Sequence, residues 1–257
     1  MSRVITIANQ KGGVGKTTTA INLGACLAVA ERSTLVVDAD PQGNATSGLG
    51  VDRDELRGSI YDVLLEGRSA AETVIRGVHF AALDLLPSHR DLLGAEVAMT
   101  GREGRETLLR QALEPLRDRY EYIIIDSPPS LGLLTVNTLA AADTVLIPIQ
   151  CEYYALEGLT QLLNTVRLVQ RGLNPGLQIE GVLLTMFNDR LNLSRQVADE
   201  AREYFGPKVF RTAIPRNIRL AEAPSFGKPI LSYDVLCAGA ASYLELAKEL
   251  MSRNGSG

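Results

Sequence analysis

Histidine is nearly absent. With only His79 and His89 in 257 residues, a histidine-rich metal centre or a Ser-His-Asp triad has too little material. Cys26, Cys151 and Cys237 lie far apart and form no C-x-x-C pair, so reduced, mostly buried thiols are expected rather than metal or redox chemistry. No apolar run approaches the roughly 18 residues needed to span a bilayer. The amino terminus enters a strand-like VITIAN without the basic flank and long apolar segment of a signal peptide. A cytosolic protein is therefore expected. The net charge of −4 argues against a surface that coats nucleic acid all round.

What is present is an alternation. VITIA, STLVVDAD, FAALDLLP, YIIIDSPP, DTVLIPIQ and LQIEGVLLTMF are apolar runs rich in Val and Ile, and they read as buried strands. Between them, TTAINLGACLAVAE, ETLLRQALEPLRDRY and ALEGLTQLLNTVRLVQ carry a helical period. Such alternation predicts an α/β fold, a mostly parallel central sheet with helices on both faces. Ligands in such folds sit beyond the carboxyl ends of the strands. The stretches NQKGG, DADPQG, DSPPS, QCEYY and FNDR all fall at such ends. With no internal repeat, low-complexity tract or linker, residues 1–252 are expected to form a single domain and 253–257 a flexible tail.

One of these stretches, NQKGGVGKTTT (9–19), almost fits the phosphate-loop pattern G-x-x-x-x-G-K-[ST]. Gly15, Lys16 and Thr17 supply its ending, but Gln10 stands where the first glycine belongs, followed by an additional lysine, Lys11. The loop follows a strand and opens a helix, as the pattern requires. Gly12, Gly13 and Gly15 let backbone N–H groups around Val14 turn toward phosphate oxygens, and the helix adds its N-terminal dipole. Lys16 is placed to reach the β- and γ-phosphates of a nucleotide, and the Thr17 hydroxyl to ligate Mg²⁺. Asp126 ends an apolar strand, well placed to hold a water of that ion. Asp38 and Asp40 end the second strand. Asp40, at the edge where Pro41-Gln42-Gly43 turns the chain, is a candidate to orient an attacking water. Asp38 reads equally well as a strand-end aspartate capping a turn.

KGGVGKTTT, DADPQGNATSGLG, YIIIDSPPSLG, QCEYYALEG and IPRNIRLAEAPSFGKPI together resemble the ParA family, and within it the chromosomal ParA (Soj) proteins. These are deviant Walker A, SIMIBI-type P-loop NTPases, and the likeness runs over nearly the whole chain. It implies an ATPase that turns Mg-ATP into ADP and phosphate. It also implies an ATP-dependent homodimer in which Lys11 reaches across to the partner's nucleotide. A side chain at Gly12 should then obstruct the dimer. Asp40 falls on the catalytic aspartate, Asp126 on the Walker B position, Thr18 within the phosphate loop, and Pro215 and Asn217 on the adenine contact.

The partners implied are non-specific double-stranded DNA and a ParB-type centromere-binding protein, with nucleoid association and no membrane. Arg190 and Arg219 match basic positions that bind DNA. They lie in a segment, Arg190 to Lys228, with eight basic residues against four acidic ones. A solvated face whose arginines pair with Glu200 and Glu203 is the plainer reading of those charges. The loop begins by residue 9, so no operator-reading extension is expected.

Three rivals share the nucleotide site. A MinD-like membrane-cycling ATPase would end in a membrane-binding helix. In ASYLELAKELMSRNGSG the stripe Leu244, Ala247, Leu250 and Met251 faces Glu245 and Glu249 as well as Lys248 and Arg253, which fits a core-packing helix better. A reductase or metallochaperone would need cysteines able to share a cluster across a dimer. A small-molecule amide ligase or kinase would leave IPRNIRLAEAP unexplained.

Overall fold

The computed structural model describes residues 2–152 and 157–255. Tyr153, Tyr154, Ala155 and Leu156, which belong to the QCEYY and ALEG motifs, lie outside the described residues, as do residues 256–257 of the expected tail.

All six apolar runs are strands. β1 (Arg3–Ile7) leads into α1 (Lys16–Val29), and β2 (Thr34–Asp38) into three short helices, α2 (Asn44–Gly48), α3 (Ile60–Leu65) and α4 (Ala70–Thr73). β3 (Leu83–Leu86) precedes α5 (Ala95–Ala98) and α6 (Leu108–Leu113). β4 (Tyr122–Asp126) precedes α7 (Leu133–Ala141), and β5 (Thr144–Gln150) precedes α8 (Glu157–Gly172). After β6 (Gln178–Thr185) come α9 (Asn192–Phe205), α10 (Ile218–Glu222), α11 (Ile230–Tyr233) and α12 (Ala238–Asn254).

The strands form one parallel sheet in the order β3-β2-β4-β1-β5-β6. Successive side chains point to opposite faces, so each strand feeds two cores. Ile5, Ile7 and Ile124 pack under α1 and α12, with Leu23, Leu27, Tyr243 and Leu250. Val4, Ile123 and Ile125 pack on the other face with Leu109, Leu134 and Leu162. Covering both faces is why these strands read as unbroken apolar runs.

Two expectations need correction. ETLLRQALEPLRDRY does not form one helix: α6 ends at Leu113 and a 3₁₀ turn, Glu114–Leu116, replaces it. Pro115 has no N–H to continue the ladder, and its ring crowds the preceding turn. At the carboxyl end, the helix runs through Asn254, so residues 253 and 254 are not tail. Arg253 donates to the Val209 carbonyl (3.0 Å), pairs with Glu249 (2.7 Å) and lies 4.2 Å from the Phe210 ring centre. These contacts carry the last turn onto the body of the protein. Tyr243, Leu246, Ala247 and Leu250 are buried in that helix. None of the described helices is long and apolar enough to cross a membrane.

Candidate nucleotide-binding site

Connections leave β1 toward β2 on one side and leave β5 toward β6 on the other, which opens a crevice at their carboxyl ends. The glycine loop lies there. Gly13 (φ 74°) and Gly15 (φ 87°) are left-handed, a conformation that costs any side chain strain and leaves glycine free. Gly12 is different. It lacks a positive φ, and a Cβ built on it meets nothing within 4 Å.

Side chains from distant elements hold the loop. Asn9 donates to the Pro148 carbonyl on β5 (2.7 Å) and accepts from the Lys11 N–H (3.0 Å). Thr185, at the end of β6, donates to the Val14 carbonyl (2.8 Å). Asn9 opens the NQKGG stretch but carries no signal of its own by residue type, and for Thr185 position at a strand end is the only signal. Lys16 is buried, and its ammonium donates to the Lys11 carbonyl (3.1 Å). Burial lowers its pKa from the ordinary lysine value, while the charges of Asp126 and Asp40 act against that shift. Lys11 joins this arrangement through its backbone alone; among the described residues its side chain has no hydrogen bond or ion pair. Gly15 caps α1 without a side chain, so the first-turn N–H groups face the crevice uncapped.

Three carboxylates cluster at these strand ends, with different partners; Asp126 and Asp40 act on Lys16. Asp38 and Asp126 stand opposite one another in the β2–β4 ladder, both fully buried. Neither Asp126 oxygen accepts a well-formed hydrogen bond. Burial first, then the charge of Asp38, pushes the Asp126 pKa well above the ordinary carboxylate range, and the nearby Thr17 hydroxyl moderates the shift. Asp38 instead accepts from the Thr46 N–H and hydroxyl (both 2.7 Å) and the Asp40 N–H (3.2 Å). Burial nonetheless pushes its pKa up to about 6. Asp38 thus caps the turn and the start of α2, one of its two sequence readings. Asp40 is 6% exposed and accepts from the Gln42 N–H (2.9 Å). Its pKa is raised by burial, with the Gln42 N–H and the Lys16 charge opposing.

A cavity of about 200 Å³ adjoins the loop, lined in part by Gly15, Thr18, Met186, Pro215, Asn217 and Tyr243. Phe187 N–H donates to the Ile214 carbonyl (3.0 Å), which lays Pro215 beside the end of β6. The Asn217 carboxamide oxygen accepts from the Leu220 N–H (3.3 Å) as the cap of α10. A larger cavity, about 1210 Å³, lies elsewhere, in an open groove at the amino ends of β1 and β6, beside Arg3, Glu180, Lys208, Arg211 and Arg253. Size alone does not mark the site.

That groove also divides the basic segment. Arg202, Lys208 and Arg211 line it, whereas Arg216 lines the small cavity and Arg219 lies on α10 beside it. The segment is not one patch. Arg202 pairs with Asp199 (3.3 Å), and Glu200 and Glu203 pair with no arginine among the described residues. Arg219 pairs with Glu222 (2.9 Å) and Asp234 (3.5 Å), whereas the Arg190 side chain has no hydrogen bond or ion pair among the described residues.

A glycine loop between a parallel strand and a helix, a buried lysine within it and a carboxylate at the neighbouring strand end define a phosphate-loop protein of the α/β class. Residues 2–179 match the family described as an AAA domain. The chain is 58% identical over 254 residues to the chromosome partitioning protein ParA of Myxococcus xanthus, covering 99% of this chain and 89% of that one. It is 56% identical over 250 residues to the sporulation initiation inhibitor protein Soj of Bacillus subtilis, covering 97% and 98%. Among solved structures, a cobyrinic acid a,c-diamide synthase of Mycobacterium smegmatis with bound ADP and magnesium superposes with a TM-score of 0.87. It shares 39% identity and covers 100% of this chain and 97% of that one. The chain belongs to the ParA/Soj family of P-loop ATPases.

Proposed function

We propose that this protein is a dimerising, DNA-binding ATPase of chromosome partitioning that hydrolyses ATP to ADP and phosphate. One observation carries the dimer. Lys11 and Gly12 belong to the stretch that sets this loop apart from the ordinary pattern; among the described residues the Lys11 side chain makes no hydrogen bond or ion pair, and a Cβ at Gly12 meets nothing within 4 Å. A lysine with no partner and a glycine with open space beside it suit a face that closes on a second copy. Lys11 then brings positive charge to the partner's developing phosphate oxygens, as an arginine finger does elsewhere.

Within each protomer, the backbone of residues 12–16 cradles the phosphates and Lys16 neutralises them. Pro215 and Asn217 border the base cavity, and Asp40 orients the attacking water. Magnesium fits the residues present: Thr17 and the buried, unpartnered Asp126 oxygens are hard donors suited to a hydrated ion. When bound, it supplies charge neutralisation on the nucleotide's β- and γ-oxygens. The ParA and Soj relatives support the partitioning role over that of a diamide synthase, which shares less of the sequence. The buried stripe of α12 supports that role over a MinD-like membrane cycle. A ParB-type partner stimulates turnover, and the DNA-bound dimer sits on the nucleoid.

The test is mass in solution by light scattering. The wild type should be a monomer with ADP and a dimer with ATP; a monomer in both would refute the reading. Gly12→Val should stay monomeric with ATP, and its nucleotide affinity and melting temperature should stay near those of the wild type, since a Cβ at this position meets nothing within 4 Å among the described residues.

DNA binding through Arg190 and Arg219 gives a second expectation. The double charge reversal to Glu should abolish ATP-dependent DNA binding in a gel-shift assay and leave the dimer intact. Of the single variants, Arg190→Glu should weaken binding more, because Arg219 is already shared between Glu222 and Asp234. Each lost phosphate contact lowers the slope of log affinity on log salt by about 1. Unchanged DNA binding in the double variant would show that the DNA lies elsewhere.

A further inference from the structure

Asp40 lies beyond the end of β2, in a turn, where a side chain expected to aim a water needs to be held to a fraction of an ångström. The strand alone cannot do this. Its last residue, Asp38, and two other segments do. The Asp40 N–H donates to the Asp38 carboxylate (3.2 Å), and its carbonyl accepts from the Ser88 hydroxyl (2.7 Å). The second Asp38 oxygen accepts both the N–H and the hydroxyl of Thr46 (2.7 Å each). The Thr46 hydroxyl in turn accepts from the Ser88 N–H (2.9 Å). The circuit closes: Asp40 to Asp38, to Thr46, to Ser88, and back to Asp40.

Each member is buried; Asp38, Thr46 and Ser88 are wholly so. Each hydroxyl has a single hydrogen, and each is committed, Thr46 to Asp38 and Ser88 to the Asp40 carbonyl. With every donor matched to one acceptor, the circuit has one arrangement, and such a network fixes geometry more firmly than its separate bonds would. It also ties the turn to residue 88, just past the edge strand β3, and to α2.

We propose that Thr46 and Ser88 are positioning residues for hydrolysis: they hold the peptide groups on both sides of the Asp40 Cα, and thereby the carboxylate, in line with the attacking water. This rests on the hydrolase reading of Asp40. Thr46→Val preserves shape and removes the hydroxyl. It should lower kcat about tenfold or more, because small misplacements of a catalytic group cost that much. KM for ATP and the affinity for ADP should stay near the wild-type values. Thr46→Ser should recover much of the loss, and Ser88→Ala should repeat the Thr46→Val pattern where that variant folds poorly.

The decisive measurement places Thr46→Val in an Asp40→Ala background. A positioning role predicts no further fall in turnover there. A full additional fall, or nucleotide affinity dropping in step with kcat in the single variants, would overturn the proposal. Normal turnover in Thr46→Val beside an inactive Asp40→Ala would sink this inference and leave the hydrolase reading standing. A wild type with no ATP turnover would remove both.

Discussion

Lys11→Ala is expected to lower ATP turnover by about a thousandfold, the low end of what a trans-acting cation contributes to phosphoryl transfer. Nucleotide binding by the monomer should survive, because the loop uses Lys11 through its backbone N–H and carbonyl, which alanine also has. Whether the lysine acts across the interface is decided by mixing. In a dimer of one Lys11→Ala and one Asp40→Ala chain, the site on the Lys11→Ala chain keeps its own Asp40 and receives Lys11 from its partner. An equal mixture, combined before ATP is added, should therefore regain about one quarter of wild-type turnover, given random pairing into two-fold dimers. Were Lys11 to act within its own chain, no mixed site would be complete and turnover would stay at background.

The second large effect is Asp40→Ala, expected to reduce turnover by about a hundredfold or more, as removal of a positioned acid–base group does. Lys16 should go on holding the nucleotide in this variant. Asp40 is a minor charge partner of the buried ammonium, behind Asp126, so ATP should still bind and two loaded protomers should still close. The dimer should then outlive the wild-type dimer after excess ATP is removed, and light scattering over time would show it. Loss of ATP binding in Asp40→Ala, measured by calorimetry, would move this residue from hydrolysis to nucleotide binding.

Much of the architecture was legible in the sequence for a physical reason. A parallel sheet covered on both faces has no polar side, so YIIID and TLVVD stand out as strands without any alternation to decode. Pro115 was legible too, but the helical period around it reads more strongly than one breaker. Within the site, the glycine loop and Asp126 announce themselves by residue type and place. Asn9, Thr46, Ser88 and Thr185 do not. Asparagine, serine and threonine are common at turns and caps, and their partners here lie far along the chain, such as 42 residues from Ser88 to Thr46. Charge along the chain is not charge in space. The run from Arg190 to Lys228 is basic along the chain, but folding sends Arg211 to the groove at the amino ends of the strands and Arg216 to the cavity at their carboxyl ends.

The ties that hold the glycine loop reach far. Asn9 bonds to a carbonyl 139 residues on, and Thr185 reaches back 171 residues to Val14. A chain leaves the ribosome amino end first, so the loop is made long before the strands that fix it. Contacts of such separation carry a large loop-closure entropy and form late. The loop is therefore not set until β6 has docked, although its own residues are among the first synthesised. A nascent or carboxyl-truncated chain lacks this anchorage, and so has no phosphate loop held ready for a nucleotide.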